Sequence, residues 1–265
     1  MIMKRVTGIG GVFFKTPDVQ RTKDWYHKHL GFQTTDWGAT FVWGDLDQSK
    51  KTASRTEWSP FKSDSDYYAP STLPYMINYR VEDLEKLMVL LAKEGVKSVA
   101  DIQKFEYGKF GWIMDPEGRK LELWEPVDDK FGDDPKPWTG RVTGLGGVFF
   151  KSKDPEAMKS WYKTHLGMAT EAFDAFLWKD LSNPASKHQG RTVWAPHAES
   201  TDYFDPSDKP YMFNYRVKDL ATLLKDLKNE GVKITADMQV YDEYGKFCWI
   251  IDCDGTKVEL WEPQA

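Results

Sequence analysis

The sequence predicts an α+β protein: four βαβββ modules in two tandem domains, each a cup-shaped mixed sheet with helices outside and a cavity inside. Three observations lead there. The first is duplication. Arg5-Val-Thr-Gly-Ile-Gly-Gly-Val-Phe-Phe-Lys15 returns as Arg141-Val-Thr-Gly-Leu-Gly-Gly-Val-Phe-Phe-Lys151, and Asn78-Tyr-Arg-Val81 returns as Asn214-Tyr-Arg-Val217. Two long-period copies mean two similar domains rather than a solenoid. The second is the order of elements within a copy, which reads β-α-β-β-β twice. The third is supply: one amphipathic helix per half covers only one face of its strands, so the other face is left to line a concavity.

In copy one a strand over 6–15 leads to Thr16-Pro17, read as an N-cap and N1 pair opening a helix; Asp154-Pro155 does the same in copy two. Met158, Trp161, Tyr162 and His165 recur at helical spacing, so one stripe is buried. Gly31 and Gly167 suit the C′ position that closes these helices. Short strands are expected near 32–36, 39–46 and 51–58. A polar loop follows from Ser59 to Pro74, with Ala195–Pro210 its counterpart; both are long enough for lids. A strand over 75–81 precedes a helix from Asp83 that stops at Gly95. Strands near 97–104, 109–114 and 119–125 complete the copy, with Tyr107-Gly-Lys109 and Tyr244-Gly-Lys246 read as hairpin turns. The acidic, Pro-containing Val127–Trp138 stretch reads as a linker. The domains are therefore set at 1–127 and 141–265, with 128–140 between them.

Composition narrows the function. The chain has 265 residues, net charge −5 and 12 Trp, 12 Tyr and 15 Phe, which suits ring-lined strands and pockets. No Lys/Arg cluster resembles a phosphate footprint, so nucleic acid is not an expected partner. No apolar run approaches the ~20 residues of a membrane helix, and Met1-Ile-Met-Lys-Arg leads straight into a strand without a signal-peptide core. Cys248 and Cys253 suggest neither a disulfide framework nor a metal knuckle. Cytoplasmic localisation is expected, as a monomer or homodimer.

Asp115-Pro-Glu-Gly-Arg-Lys-Leu-Glu-Leu-Trp-Glu-Pro126 returns as Asp252-Cys-Asp-Gly-Thr-Lys-Val-Glu-Leu-Trp-Glu-Pro263. Together with Trp25-Tyr-His-Lys-His-Leu-Gly-Phe32, Asn78-Tyr-Arg-Val-Glu-Asp-Leu84 and Glu94-Gly-Val96, these segments resemble the vicinal oxygen chelate (VOC) superfamily: glyoxalase I, bleomycin resistance proteins and type I extradiol dioxygenases. The resemblance implies a cavity in each cup and, in the enzymes, a divalent metal held by a His or Gln on the first strand, a His starting the fifth and a Glu on the last. A further Glu comes in some from the fourth strand. Here the first-strand positions fall on Gly11 and Gly147, the fifth on Met76 and Met212, and the fourth near Trp58 and Trp194, beside Glu57 and Val193. Only Glu122 and Glu259 remain. One carboxylate does not make a tight divalent site, and a thioether is a poor ligand for these metals. No metal or other cofactor is expected.

Strand alternation assigns the cup faces. Phe13, Lys15, Met76, Asn78, Arg80, Lys120, Glu122 and Trp124 face inward in copy one, with Trp112 at the wall or rim. Phe149, Lys151, Met212, Asn214, Arg216, Lys257, Glu259 and Trp261 face inward in copy two, with Trp249 at the wall or rim. The candidate ligand contacts are Phe13, Asn78, Arg80, Trp112, Trp124, Phe149, Asn214, Arg216, Trp249 and Trp261; Glu122 and Glu259 are the candidate catalytic groups. Alternatively Arg80 pairs with Glu122 and Arg216 with Glu259 as plain ion pairs. His29 and His165 read as packing residues on the helix stripe, and His27, His188 and His197 as surface. Neither cysteine has the setting of a nucleophile. The expected function is binding of a small, partly aromatic molecule without metal. The alternatives are a metal-dependent enzyme, lactoylglutathione-lyase-like or extradiol-dioxygenase-like, and a non-catalytic structural or interaction protein.

Overall fold

The computed structural model describes residues 5–44, 53–128, 140–168, 175–181 and 189–264. Copy one runs β1 (Val6–Thr16), α1 (Val19–Leu30), β2 (Ala39–Gly44), β3 (Ala53–Lys62), β4 (Tyr75–Val81), α2 (Leu84–Lys93), β5 (Ser98–Phe105), β6 (Gly108–Met114) and β7 (Lys120–Pro126). Copy two runs β8 (Val142–Ser152), α3 (Pro155–Leu166), β9 (Ala175–Lys179), β10 (Gln189–Ala198), β11 (Tyr211–Val217), α4 (Leu220–Asn229), β12 (Lys233–Ile234), β13 (Gln239–Tyr241), β14 (Gly245–Ile251) and β15 (Lys257–Pro263). The cup of copy one has the strand order β2-β3-β1-β4-β7-β6-β5, with β1/β3 and β4/β7 parallel, and copy two repeats it. A Gly44–Lys179 pairing between β2 and β9 joins the two cups into one continuous sheet.

Local signals explain the boundaries, with two corrections. The N-cap of α1 is Asp18, not Thr16: its carboxylate accepts from the Arg21 amide at 3.0 Å, while Thr16 is turned to Thr22. Carboxylate capping takes over because Asp18 is in extended backbone, the conformation an N-cap needs. Residues 32–36 form no strand; Thr35 and Gly38 close a turn on each other instead. The other helix starts stand as read: Asp154 caps α3 ahead of Pro155, and Asp83 caps α2. Gly31 closes α1 at φ 72°, and a Cβ there would meet the Arg141 backbone nitrogen at 2.8 Å, so a left-handed turn and a close chain approach both require glycine. The Ser59–Pro74 loop begins later than expected, because β3 continues to Lys62. Residues 129–139 of the expected linker, and His188, lie outside the described residues.

The core is shared between the copies. Phe14, Trp58, Tyr75 and Tyr79 from copy one and Phe150, Trp194, Tyr211 and Tyr215 from copy two belong to one buried cluster. Trp58 donates its indole N–H to the Tyr215 hydroxyl, and Trp194 donates to the Tyr79 hydroxyl, both at 2.8 Å. Helices α1 and α3 lie in this seam: Tyr26 of α1 donates to Asp252 of copy two at 2.9 Å, and Tyr162 of α3 to Asp115 of copy one at 3.3 Å. At the ends of these helices His29 meets Glu230 and His165 meets Glu94, and Arg141 and Arg5 bind the same two carboxylates. The helix-stripe reading of these histidines therefore gains a specific cause, an acid supplied by the other copy.

The duplicated turn before the last strand of each copy differs in one buried residue. Arg119 binds Asp115 at 3.1 Å, the Tyr75 hydroxyl at 2.9 Å and Glu117 at 2.8 Å. Its counterpart is Thr256, so Asp252 has no guanidinium beside it. Burial, reinforced by Asp254, pushes the Asp252 carboxyl up to about 6 against the opposing Thr256 amide and Tyr26 hydroxyl. A carboxyl raised above its unfolded value holds extra protons in the folded state. Its contribution is therefore lost as pH rises from about 4 to about 6. We expect Asp252→Asn to gain stability relative to the parent across that window, by roughly 2–3 kcal/mol, then to hold a constant difference above it. Urea unfolding at pH 4, 5, 6 and 7 measures this, and a flat difference would refute the assignment.

Candidate ligand-binding cups

Sheet register builds the centre of each cup. In copy one, Glu57, Gly11, Asn78, Glu122 and Trp112 lie side by side on β3, β1, β4, β7 and β6. In copy two the same row reads Val193, Gly147, Asn214, Glu259 and Trp249. The next row sets Arg80 beside Trp124 and Phe110, and Arg216 beside Trp261 and Phe247. Trp58 and Trp194 point into the seam, leaving their neighbours Glu57 and Val193 to the cups.

The expected arginine–glutamate pairs do not form. Glu122 accepts from Asn78 Nδ2 at 2.6 Å, Trp112 Nε1 at 2.8 Å and the Tyr67 hydroxyl. Glu259 accepts from Asn214 Nδ2 at 2.5 Å, Trp249 Nε1 at 2.7 Å and the Tyr203 hydroxyl. Both carboxylates are buried, and desolvation raises their pKa against the pull of these donors. Neighbouring strands hold the Asn and Trp donors at the same level, whereas the arginines sit one row away. Arg80 instead binds Asp128 at 2.5 Å and lies over the Trp43 and Trp124 rings. Arg216 lies between Trp178 and Trp261, 4.9 and 5.7 Å from their centroids.

Tyr67 and Tyr203 were not among the expected site residues. Each belongs to one of the long loops flagged as lids. The loops enter the cups as straps: Tyr68 and Phe204 are fully buried beside Met76 and Met212, and Lys120 and Lys257 donate to the Tyr67 and Tyr203 carbonyls at 2.7 Å. The tyrosine at this strap position was the available signal, since it follows an acidic turn in both copies (Asp66-Tyr67, Asp202-Tyr203).

A cavity of about 360 Å³ opens in copy two. Phe149, Trp249, Trp261, Asn214 and Glu259 line it, as do Tyr203, Tyr241, Tyr244 and Phe247. Arg191 and Gly146 line it too; Arg216 is not itself a lining residue but packs behind Gly146, where a Cβ would meet the Arg216 Cγ at 3.0 Å. His197, read as a surface residue, lines the cavity: its ring stacks on Tyr203 at 5.3 Å and 17°, and burial lowers its pKa. Alternation from Trp194 through Ala195 to His197 would have placed it there. In copy one, Phe13, Tyr68, Met76 and Trp112 pack together, with the Phe61 ring stacked on Tyr67 at 5.4 Å; Phe110 stacks on Trp124. Tyr107 and Tyr244 sit at the hairpin turns, and Tyr244 also lines the cavity.

The row does not fit the metal chelate of the resembled enzymes. Glycine, asparagine and tryptophan stand beside Glu122 and Glu259 in both rows; Glu57, at the far end of the copy-one row, is taken by Thr40 at 2.7 Å. A Cβ on Gly11 would meet the Phe13 ring at 2.7 Å, and one on Gly10 would meet Asn78 Oδ1 at 2.1 Å, so the space of a first-strand ligand is already filled. Among the described residues no group of three His, Cys, Asp or Glu could hold a metal ion. Cys248 is buried in β14, and burial pushes the Cys253 thiol up to about 12, which leaves neither as a nucleophile. Among the described residues no helix is long and apolar enough to cross a membrane.

Comparison with known proteins agrees with the fold. Residues 8–123 match the Glyoxalase/Bleomycin resistance protein/Dioxygenase superfamily. The 2,3-dioxygenase LapB from Pseudomonas sp. KL28 superposes with a TM-score of 0.60 at 11% identity, over 99% of this chain and 94% of that one. The Mn(II)-bound glyoxalase from Novosphingobium aromaticivorans gives 0.61 at 14%, over 97% and 82%. Homoprotocatechuate 2,3-dioxygenase from Brevibacterium fuscum, in complex with 3,4-dihydroxyphenylacetate, gives 0.60 at 10%, over 99% and 82%. No curated protein matches the chain by sequence. The chain has the vicinal oxygen chelate fold in tandem, and its residues 8–123 match the model of that superfamily.

Each strap is held by a phenol on a buried carboxylate. Tyr203→Phe and Tyr67→Phe should each destabilise the protein by about 1–3 kcal/mol, the cost of a lost donor to a buried acceptor. They should also expose the 199–210 or 63–74 segment to faster proteolysis. Chemical denaturation with timed digestion tests both; unchanged cleavage would separate the phenol from the strap.

Proposed function

We propose that the chain binds a small, partly aromatic molecule in its cups without the superfamily's metal, and that the cup of copy two is a working site. The cavity in that cup carries the reading. Its volume lies at the small end of the roughly 300–1,000 Å³ range of ligand pockets. Its walls are largely rings, which offer flat apolar contact, and Arg191, His197, Asn214, Gln239 and Glu259 supply polar groups among them. The carboxylate at its floor already has three donors. It serves as a fixed anchor for the wall and the strap, with Tyr203 and Trp249 oriented by it. The donor set beside it argues against a chelated metal, and the open cavity argues against a cup that has filled in.

Planar aromatic compounds of one or two rings should raise the melting temperature by roughly 5–10 °C at a hundredfold excess over Kd. Mn²⁺, Zn²⁺, Ni²⁺ and Fe²⁺ should leave it unchanged. Trp249→Ala should remove the ligand shift while a folded protein remains. A shift with stoichiometric metal, or none with any aromatic compound, would overturn the reading.

A further inference from the structure

We infer that the cup of copy two selects an aromatic anion, with Arg216 and Arg191 supplying the charge that receives its acidic group. The inference rests on the binding function proposed above and adds the charge of the ligand to it.

The duplication provides the internal control. Both copies place two arginines on the cup side of equivalent strands. In copy one Arg55 and Arg80 are met by carboxylates: Asp128 binds Arg80 at 2.5 Å, and the field of Glu57 acts on Arg55. Ser54 adds a contact to Arg80 at 3.3 Å. Copy two keeps the arginines and loses the acids. Val193 stands where Glu57 does, and the Thr40 that donates to Glu57 at 2.7 Å has become Ala175. Nothing among the described residues gives Arg216 the ion pair that Asp128 gives Arg80. Arg216 is 7% exposed, and its Nε and Nη1 have no hydrogen-bond partner among the described residues. Asp180 acts on it through the field alone, opposed by Arg191.

A buried guanidinium with unmet N–H groups carries a large desolvation cost. Stacking between Trp178 and Trp261 recovers part of that cost by cation–π attraction and leaves the in-plane N–H edge unsatisfied. A planar acid is the complement of that edge, because a guanidinium fork matches two oxygens at once. Position agrees with chemistry. Arg191, Gly146 and Trp261 all line the cavity, and the Arg216 stem lies against Gly146 and Trp261. A ring packed in the aromatic part of the cavity would thus direct its acidic substituent to the arginine side. Val193 supplies an apolar wall there and no competing charge.

Three near-isosteric probes test this: 2-naphthoate, 2-naphthamide and 2-naphthamidine, titrated against the full chain by calorimetry at constant ionic strength. The naphthoate should bind at least about tenfold tighter than the amide, the worth of one charge-assisted hydrogen bond, and the amidine weakest. Arg216→Met keeps the stem between the two indoles and should abolish the preference while leaving amide binding. Val193→Glu, which installs the acid of copy one, should do the same, and Arg191→Met should reduce the preference if burial makes the first variant unstable. Equal or tighter binding of the amide or amidine would overturn the charge assignment and leave the aromatic site standing. A naphthoate preference that survives Arg216→Met, Arg191→Met and Val193→Glu would overturn it too. Binding of none of the three would overturn both the anion and the aromatic reading.

Discussion

The structure depends on burying the convex face of each copy's sheet against the other copy. That face is too aromatic to be left to water. It carries Phe14, Trp58, Tyr75 and Tyr79 in copy one and Phe150, Trp194, Tyr211 and Tyr215 in copy two. Rings of this kind bury large areas, and burial is the main favourable term in folding. The polar tips are then the difficulty, because an unmatched indole N–H or phenol in the core costs free energy. The two copies resolve it reciprocally, each Trp donating to the other copy's Tyr. Once those faces are committed, strand alternation leaves the remaining side chains no place except the cups. The seam therefore determines what the sites contain.

Within a cup the same accounting governs the glutamate. A buried carboxylate is tolerated when donors replace its lost water. In the resembled enzymes the last-strand glutamate has a cation for a partner. Here three neutral donors from two adjacent strands and a loop surround it, and glycine stands where a coordinating side chain would be. The replacement is concerted: Asn78 can lie flat over Gly10 only because that glycine has no Cβ, and Phe13 folds over Gly11 for the same reason. Restoring a histidine at one of these positions would displace a packed side chain without supplying the other ligands.

Much of this was legible in the sequence. The repeat, the cap at Asp154, the helix start near Asp83, the strand over 75–81 and the inward set on it all followed from period and local chemistry. The failures have physical causes. Arg80 and Glu122 share a face, and opposite charges on one face invite pairing, yet pairing needs adjacency within a row; register between β4 and β7 places Asn78 beside Glu122. Tyr67 and Tyr203 were missed because a loop has no periodicity from which to read direction. His197 was missed through comparison with copy one, where Phe61 occupies its place, although alternation alone would have turned it inward. The sharing of the core between copies could not be read from one strand at a time, since an outward aromatic looks alike whether it meets its own helix or another domain.

Duplication frees one copy to change while the other preserves the fold, and the differences here are not scattered. The seam keeps its reciprocal Trp–Tyr donors on both sides, and both cups keep the Asn–Glu–Trp row. Divergence in the described cups falls largely on polar and charged positions: Glu57 against Val193, Thr40 against Ala175, and the Arg80–Asp128 pair against an Arg216 whose Nε and Nη1 have no partner among the described residues; one wall ring also changes, Phe61 against His197. Relaxed packing alone would be expected to alter apolar wall positions as readily as charged ones. The stacked pair of the wall is kept: Phe110 on Trp124 reappears as Phe247 on Trp261, with nearly the same separation, 5.8 and 5.9 Å. The copy-two cup thus keeps the Glu259 floor and the Phe–Trp stack while the acids that meet the copy-one arginines, Glu57 and Asp128, have no counterpart among its described residues, which is the contrast the proposed anion preference rests on.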